Sequence, residues 1–198
     1  MTNPTMGPTA VAQPPPGKRD RLVAAAVHLL HQHGIERTTL ADIAQAADVP
    51  AGNVYYYFKT KDDIIAAVIE AHSRQIDATL ASIEARHRSP KARLKALLHE
   101  LARQSEIVAK HGCPLGSLCS ELDKRANSAD LSVTDLMQPL INWAERQFQD
   151  AGHAREAHDL ALDLIAAYEG HALLANTMRT PEILTGAARR LGRWIDTL

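Results

Sequence analysis

The sequence predicts an all-α protein of about nine helices. Ala and Leu are abundant, whereas Val, Ile and the aromatic residues that favour strands are sparse. Apolar residues recur at the i, i+3, i+4 and i+7 positions of a helix face along most of the chain, and no segment shows the alternation of a strand. Ser, Thr, Pro and Gly stand where helices would begin and end. These observations define the fold class and also indicate the individual helices.

The N-terminal part predicts a tail followed by two helices. Residues 1–17 carry no charge and contain five prolines, which predicts a disordered, Pro-rich tail. From Lys18 the apolar spacing becomes helical and continues until Gly34, which is expected to end the first helix. A second, short helix follows, and either Thr38 or Thr39 can cap it.

Cap and turn residues then divide the rest of the chain. A Pro/Gly turn precedes a third short helix at 53–58, and Thr60 can cap the long helix that follows. Ser89, with Pro90 after it, predicts the start of a helix that runs to Gly112. The segment 113–130 predicts a broken or short-helical region. The last helices are expected at about 131–150, about 154–178 and from Pro181 to the end.

Composition limits the environment and the partners. At 198 residues the chain can bury a sizeable core, and two cysteines are too few for a disulfide scaffold. No apolar run reaches the roughly 18 residues of a membrane span, and the N-terminus lacks the apolar core of a signal peptide. We therefore expect a cytoplasmic protein without a membrane partner.

Four of the eight aromatic residues are consecutive: Tyr55, Tyr56, Tyr57 and Phe58. On a helix of about 100° per residue, Val54 and Phe58 share one side and can anchor the helix to a core. Tyr56 then points away from that core, and its two tyrosine neighbours border the exposed face. Phenols beside lysines can donate hydrogen bonds to phosphates, and an outward Tyr can contact base edges. The alternative is that the tyrosines are half-buried packing residues.

The second and third helices, joined by a tight turn, have the pattern of a helix-turn-helix, whose second helix enters the major groove of DNA. Charge supports this interpretation. Residues 18–61 contain six Lys and Arg against four acids, whereas 62–198 contain 16 against 19. A mildly basic head on an acidic body indicates a polyanionic partner for the head.

Residues 18–65 resemble the DNA-binding head of the tetracycline-repressor (TetR) family of transcriptional regulators. The matching residues are AAAVHLLHQHGIERTTLADIAQAADVPAGNVYYYFKTKDDII, with a Gly-ended first helix, TTLADIA, the turn ADVPAGNVYYYF and the pattern K-x-K-x-x-I. The resemblance covers about a quarter of the chain, and the remainder agrees in length and helix count only. It implies a head at 18–64 and a ligand-binding and dimerisation body at 65–198. It also implies a repressor that binds a palindromic double-stranded DNA operator as a dimer and is released by a small molecule.

The resemblance also implies roles for single residues. Thr39 would contact a phosphate, and Gly52 would let the backbone approach the DNA closely. Asn53 and Tyr56 would read bases, while the remaining polar residues would hold the DNA backbone. Ala51 stands where many relatives carry Lys or another polar residue, which removes one contact. The candidate DNA-binding residues are Thr38, Thr39, Ala51, Gly52, Asn53, Tyr55, Tyr56, Tyr57, Lys59 and Lys61.

The acidic, aromatic-poor body indicates a ligand sensor. Ligand pockets are mostly apolar with a few placed polar groups, and the candidates here are His99, Arg103, Cys113, Leu118, Met137, Trp143, Tyr168 and His171. The resemblance implies an antiparallel homodimer through the last two long helices. Candidate contacts are Leu164, Ala167, Gly170, Leu174, Leu191 and Trp194. A helix buried inside a monomer would show the same apolar stripe, so the pattern alone leaves this interface open.

Two cysteines and a histidine pair raise further alternatives. Lys110 and His111 precede Cys113, and nearby positive charge could lower its pKa and create a switch for oxidants or electrophiles. Inert, half-buried thiols are the other interpretation. His28 and His31 are helical neighbours, but no Cys or acid converges on them, so we predict no metal site and expect both to face solvent. No nucleophile–base–acid set supports a helical-bundle enzyme, and we predict no catalytic residue and no cofactor.

Overall fold

The computed structural model describes residues 17–125 and 134–198, which form ten helices and no strand. The expected disordered tail, apart from Gly17, and the segment 126–133 lie outside the described residues. The helices are α1 Lys18–His33, α2 Leu40–Ala46, α3 Ala51–Tyr57, α4 Lys61–Arg86, α5 Pro90–Ala102, α6 Ser105–His111, α7 Pro114–Asp123, α8 Thr134–Asp150, α9 Ala157–Met178 and α10 Glu182–Thr197.

The predicted caps are confirmed. Thr39 accepts a hydrogen bond from the backbone N–H of Asp42, and the Asp42 carboxylate accepts one from the N–H of Thr39. Thr60 and Asp63 form the same reciprocal arrangement at the start of α4. Ser89 caps α5. Each cap satisfies backbone donors that the first turn of a helix would otherwise leave unpaired.

The tenth helix arises because the segment between Ser89 and Gly112 is two helices rather than one. No Gly or Pro marks the break. Gln104 leaves the helical conformation with φ −92° and ψ 11°, and its N–H bonds to the carbonyl of Leu101. The turn allows Val108 of α6 to be buried in a cluster with residues of α9, and Ala109 is also buried. Tertiary packing therefore breaks a helix that local propensity would continue.

The cores of the head and of the body are joined. One cluster of buried residues combines α1 to the first half of α4 with Leu118 and Leu122 of α7 and Leu136 of α8. A second cluster joins the rest of α4 to α5, α8, α9 and α10. The expected boundary after residue 64 falls inside α4, where Ile64 and Ile65 are both fully buried in the first cluster. The head is thus packed directly on α7 and α8.

Candidate nucleic-acid interface and cavity

The helix α3 is anchored on one side and exposed on the other. Val54 and Phe58 are buried in the first core cluster, which confirms their predicted role as anchors. The turn from α2 to α3 passes through Asp48, which has a φ of 50°. Asp tolerates this left-handed conformation better than most residues. Gly52 lies within α3 rather than in the turn.

The outward face of α3 carries the tyrosines. Tyr56 is 78% exposed and Tyr55 is 56% exposed, which confirms the predicted orientation of Tyr56. Tyr57 is half-buried against the core, and its ring lies edge-on to Tyr56 with centroids 5.0 Å apart. Asn53 is half-buried, and Ala51 and Gly52 are exposed. The alternative that the tyrosines are half-buried packing residues therefore applies to Tyr57 and not to Tyr55 or Tyr56.

Basic side chains flank this face. The Lys59 ammonium donates a hydrogen bond to the carbonyl of Tyr55 (2.6 Å), and Lys61 donates one to the carbonyl of Glu36 (3.4 Å). The Arg19 guanidinium lies 5.5 Å from the centre of the Phe58 ring. Lys59 and Lys61 lie close to α3 in the chain and add positive potential near its C-terminal end, whereas Arg19 lies on the side of Phe58.

The two threonines before α2 have different environments. Thr38 is 1% exposed, and its hydroxyl donates to the carbonyl of Gly34 (2.8 Å). The expectation that Thr38 contacts DNA is therefore wrong, because its side chain holds the turn between α1 and α2. Thr39 is exposed, but its N–H and hydroxyl both donate to Asp42 Oδ2, at 2.9 and 2.6 Å. These bonds lower the pKa of Asp42. A phosphate at Thr39 must therefore replace this carboxylate or bind beside it.

A cavity of about 710 Å³ lies where the head meets the body. Its walls come from α1, α4 and α5, and α6 to α9 complete the lining. Of the eight candidate ligand residues, Cys113 and Tyr168 line it. The histidines His28, His31 and His72 also line it, although His28 and His31 were expected to face solvent. His28 is exposed at the cavity, whereas His31 is half-buried.

The other six candidates do not line this cavity, and their role in ligand binding stays a prediction. His99 and Arg103 are exposed outside the cavity lining. Trp143 is buried and its indole N–H donates to Glu84 (2.7 Å), while Leu118 belongs to the head core. The remaining two, Met137 and His171, are half-buried away from the lining, and the ring of His171 bonds to the carbonyl of Ala167 and to Arg190. Apolar periodicity cannot separate a cavity wall from a packed core, and no motif marks the three histidines.

The thiol of Cys113 is buried beside an acid. Its S–H donates to Glu169 Oε1 (3.1 Å), and burial together with the Glu169 charge raises the pKa of Cys113 to about 12. Burial also raises the pKa values of Tyr168 and Cys119. The expectation that Lys110 and His111 activate this thiol is therefore wrong. Both thiols remain protonated near neutral pH, which favours the inert interpretation.

The dimerisation candidates also separate into two groups. Leu164 is 1% exposed inside the chain's own core, and Leu191 and Trp194 pack against that core, where Trp194 lies 6.0 Å from the ring of Phe148. Leu164 is therefore corrected to a core residue, whereas the half-buried Leu191 and Trp194 stay predicted contacts. Ala167 is half-buried, while Gly170 and Leu174 are exposed. The residues that form an exposed surface, here called the α9 apolar face, are Leu162, Ala166, Gly170, Leu173, Leu174 and Met178.

The fold and this interface define a class of protein. A short, core-anchored helix that displays tyrosines follows a second short helix across a tight turn, and both stand on a helical body with a cavity. This arrangement is that of a helix-turn-helix DNA-binding regulator. Within the described residues no helix combines the length and apolar character that crossing a membrane requires.

Comparison with known proteins identifies the family. Residues 22–68 match the family model for bacterial regulatory proteins of the tetR family, and residues 90–190 match the C-terminal domain model of LmrA/YxaF-like transcriptional regulators. The chain therefore belongs to the TetR family, and it is a DNA-binding, ligand-responsive transcriptional repressor. The members of this family are transcriptional regulators and are generally not enzymes.

Individual relatives agree over most of their length. The transcriptional regulator AcuR of Cereibacter sphaeroides is 29% identical over 197 residues, covering 89% of this chain and 84% of AcuR. The regulator TtgR of Pseudomonas putida is 24% identical over 192 residues, covering 90% and 88%. A TetR regulator structure from Chloroflexus aurantiacus has a TM-score of 0.77 at 25% identity, covering 90% of this chain and 94% of that one.

Proposed function

We propose that this protein acts in the cytoplasm as a homodimer that occupies a palindromic operator and releases it when a small molecule enters the cavity. The proposal divides the chain into a DNA-binding head at 18–64 and a sensing and dimerisation body at 65–198, with a regulatory and not a catalytic role. The observation that carries it is the outward tyrosine face of α3, anchored from behind by Val54 and Phe58.

The proposed contacts with DNA follow from exposure and chemistry. Asn53 and Tyr56 read base edges, because Asn53 lies in the first turn and Tyr56 on the exposed face of a short helix that can enter the major groove. Gly52 allows close approach, since an added Cβ there would meet nothing within 4 Å of the protein itself. The residues proposed to hold phosphates are Thr39, Tyr55, Tyr57, Lys59 and Lys61.

The proposed dimer forms through the α9 apolar face. Its most exposed members are Leu173 (67%) and Met178 (62%), and monomeric proteins rarely leave contiguous large apolar side chains uncovered. The small residues Ala166 and Gly170 would allow two helices to approach closely. Leu174 also belongs to this face, and the half-buried Ala167 lies beside it. A two-fold axis here presents two α3 helices to successive major grooves, which requires two symmetric half-sites.

The proposed release acts through α1 and α4, because α1 belongs to the head, α4 runs from the head into the body, and both helices form cavity walls. The Glu121 carboxylate of α7 accepts a hydrogen bond from Ile35 N–H, and Arg125 pairs with Asp62 at 3.0 Å. A ligand that fits better when α1 has moved relative to α7 would shift the population away from the DNA-binding arrangement.

Selection of genomic fragments by the purified protein tests this function. We expect an enriched palindrome with half-sites about 10 base pairs apart, or a multiple of that spacing. Sedimentation of the complex should give a whole number of dimers on each site. Absence of an enriched site, or binding of single chains to single half-sites, would contradict the proposal.

A further inference from the structure

The walls of the cavity are mainly apolar. Their largest apolar contributions come from α1, α4 and α5, with additions from α8 and α9. The volume of about 710 Å³ lies within the range of small-molecule sites. The aliphatic side chains that form these walls are Val27, Ile76, Leu80, Leu97, Leu101 and Leu140. A ligand must therefore be largely apolar.

Three of the four Arg, Asp and Glu side chains that line the cavity contact another side chain of the protein. Arg74 pairs with Glu70 at 2.5 Å, and Arg19 lies over the Phe58 ring. Glu100 lies 3.6 Å from the guanidinium groups of both Arg86 and Arg103. Arg74 and Glu100 are therefore balanced by ion pairs, whereas Arg19 and Asp20 are exposed neighbours of opposite charge at the start of α1.

Three imidazoles provide the remaining polar chemistry. His72 is half-buried, and its ring forms no hydrogen bond with any described residue. His31 lies 2.8 Å from the carbonyl of Gly112, so its Nε2 carries the proton and donates it, which leaves the lone pair on Nδ1. His28 lies one turn earlier on the same helix. Burial and the neighbouring His31 lower the pKa of His72, so the empty cavity holds a neutral imidazole that can gain a proton.

The surroundings of these imidazoles favour an anion over a cation. Burial raises the pKa values of Cys113 and Tyr168 and keeps both uncharged, and His111 stands against His31 with ring centroids 5.7 Å apart. The charged and titratable groups that line the cavity with the cluster are Arg19, Asp20, Arg74, Glu100, Cys113 and Tyr168. Glu121 of α7 lines a small adjoining pocket with His31 and His72, where its carboxylate accepts a hydrogen bond from Ile35 N–H. A cation would have to compete with guanidinium groups for Glu100, whereas an anion can favour protonation of the His72 imidazole and so gain a charged donor.

From this geometry we infer that the cavity binds an apolar organic acid as its anion, with the carboxylate among His28, His31 and His72 and with uptake of a proton from solvent. This inference rests on the proposed sensing role of the cavity and adds the chemical class of the effector. It also places the ligand's charged end against α1, the first helix of the head.

Calorimetric titration of the full-length protein with decanoate, decanol and decylamine tests the inference. We expect decanoate to bind about tenfold more tightly than either of the others at pH 6, since a charge-assisted hydrogen bond exceeds a neutral one. The bound anion raises the imidazole pKa. Affinity for decanoate should therefore be constant below the pKa of the empty site, fall by up to about tenfold per pH unit between that pKa and the higher pKa of the occupied site, and level off again above the latter.

The number of protons taken up gives a second readout. Titrations are made at one pH between the pKa of the empty site and that of the occupied site, in two buffers of different ionisation enthalpy. They should show close to one proton bound with each decanoate. If decanol binds as tightly as decanoate, if decylamine binds best, or if no proton is taken up, the inference is wrong. Selection of the operator uses none of these ligands. A failure of the proposed function would therefore be detected separately from a failure of this inference.

Two variants locate the anion. His72→Gln should weaken decanoate binding about tenfold and leave decanol binding unchanged. His28→Gln should act in the same direction, and it provides an exposed site whose substitution leaves the core intact. The matched control is His99→Gln, the same change on an exposed α5 position outside the cavity. Equal effects at His99 and His72 would also overturn the assignment.

Discussion

At the scale of single residues, Tyr56 separates DNA recognition from folding most clearly. Its side chain is 78% exposed, so its removal should leave the core unchanged. Tyr56→Ala should cost about 1–3 kcal/mol of binding at the selected operator and relax the preference at the base pairs that it contacts. Fluorescence anisotropy on the operator and on single-base variants measures both effects. Unchanged affinity and preference would show that this face of α3 does not read bases.

Lys61 should act differently, because a phosphate contact carries no sequence information. Lys61→Ala should weaken binding to operator and random duplexes alike and reduce the slope of log affinity against log salt by about one. Lys91→Ala, on α5 of the body, is the control and should leave the slope unchanged. Loss confined to the operator would mean that Lys61 takes part in base recognition.

At the scale of the element, α3 has a glycine that its own packing does not require. An added Cβ at Gly52 meets open space, and Ala is a better helix former than Gly. Gly52→Ala should therefore stabilise the protein by about 0.4–1 kcal/mol and at the same time weaken operator binding, since a methyl group now separates the backbone from the DNA. Chemical denaturation and anisotropy measure the two effects. If affinity is retained, Gly52 does not serve close approach.

The helix boundaries show how local chemistry and packing share control of an element. Thr39, Thr60 and Ser89 begin helices where the sequence predicts, because a cap depends on residues within three positions of it. The break at Gln104 has no local signal. It depends on what α6 packs against, which only the assembled chain provides.

At the scale of the whole molecule, the α9 apolar face should control assembly and, through it, DNA binding. Leu173→Arg places a charge in the proposed interface and should weaken dimerisation by about a hundredfold or more. Cooperative operator binding should be lost with it. Sedimentation velocity measures the association, and Ile107→Arg is the control, because Ile107 is an exposed apolar residue of α6 that lines the cavity and does not belong to the α9 apolar face. A persistent dimer would place the interface elsewhere.

The sequence by itself determines the all-α class, most helix limits, the helix-turn-helix and the outward direction of Tyr56. All of these depend on periodicity and capping over a few residues. Tertiary structure decides which of two adjacent threonines is buried, that Leu164 and Trp143 fill a core, and that His31 and His72 meet at a cavity. The apolar or polar character of a helix residue indicates whether it tends to be buried or exposed. The packing of helices that are distant in the sequence decides which residues cover it or which cavity it faces.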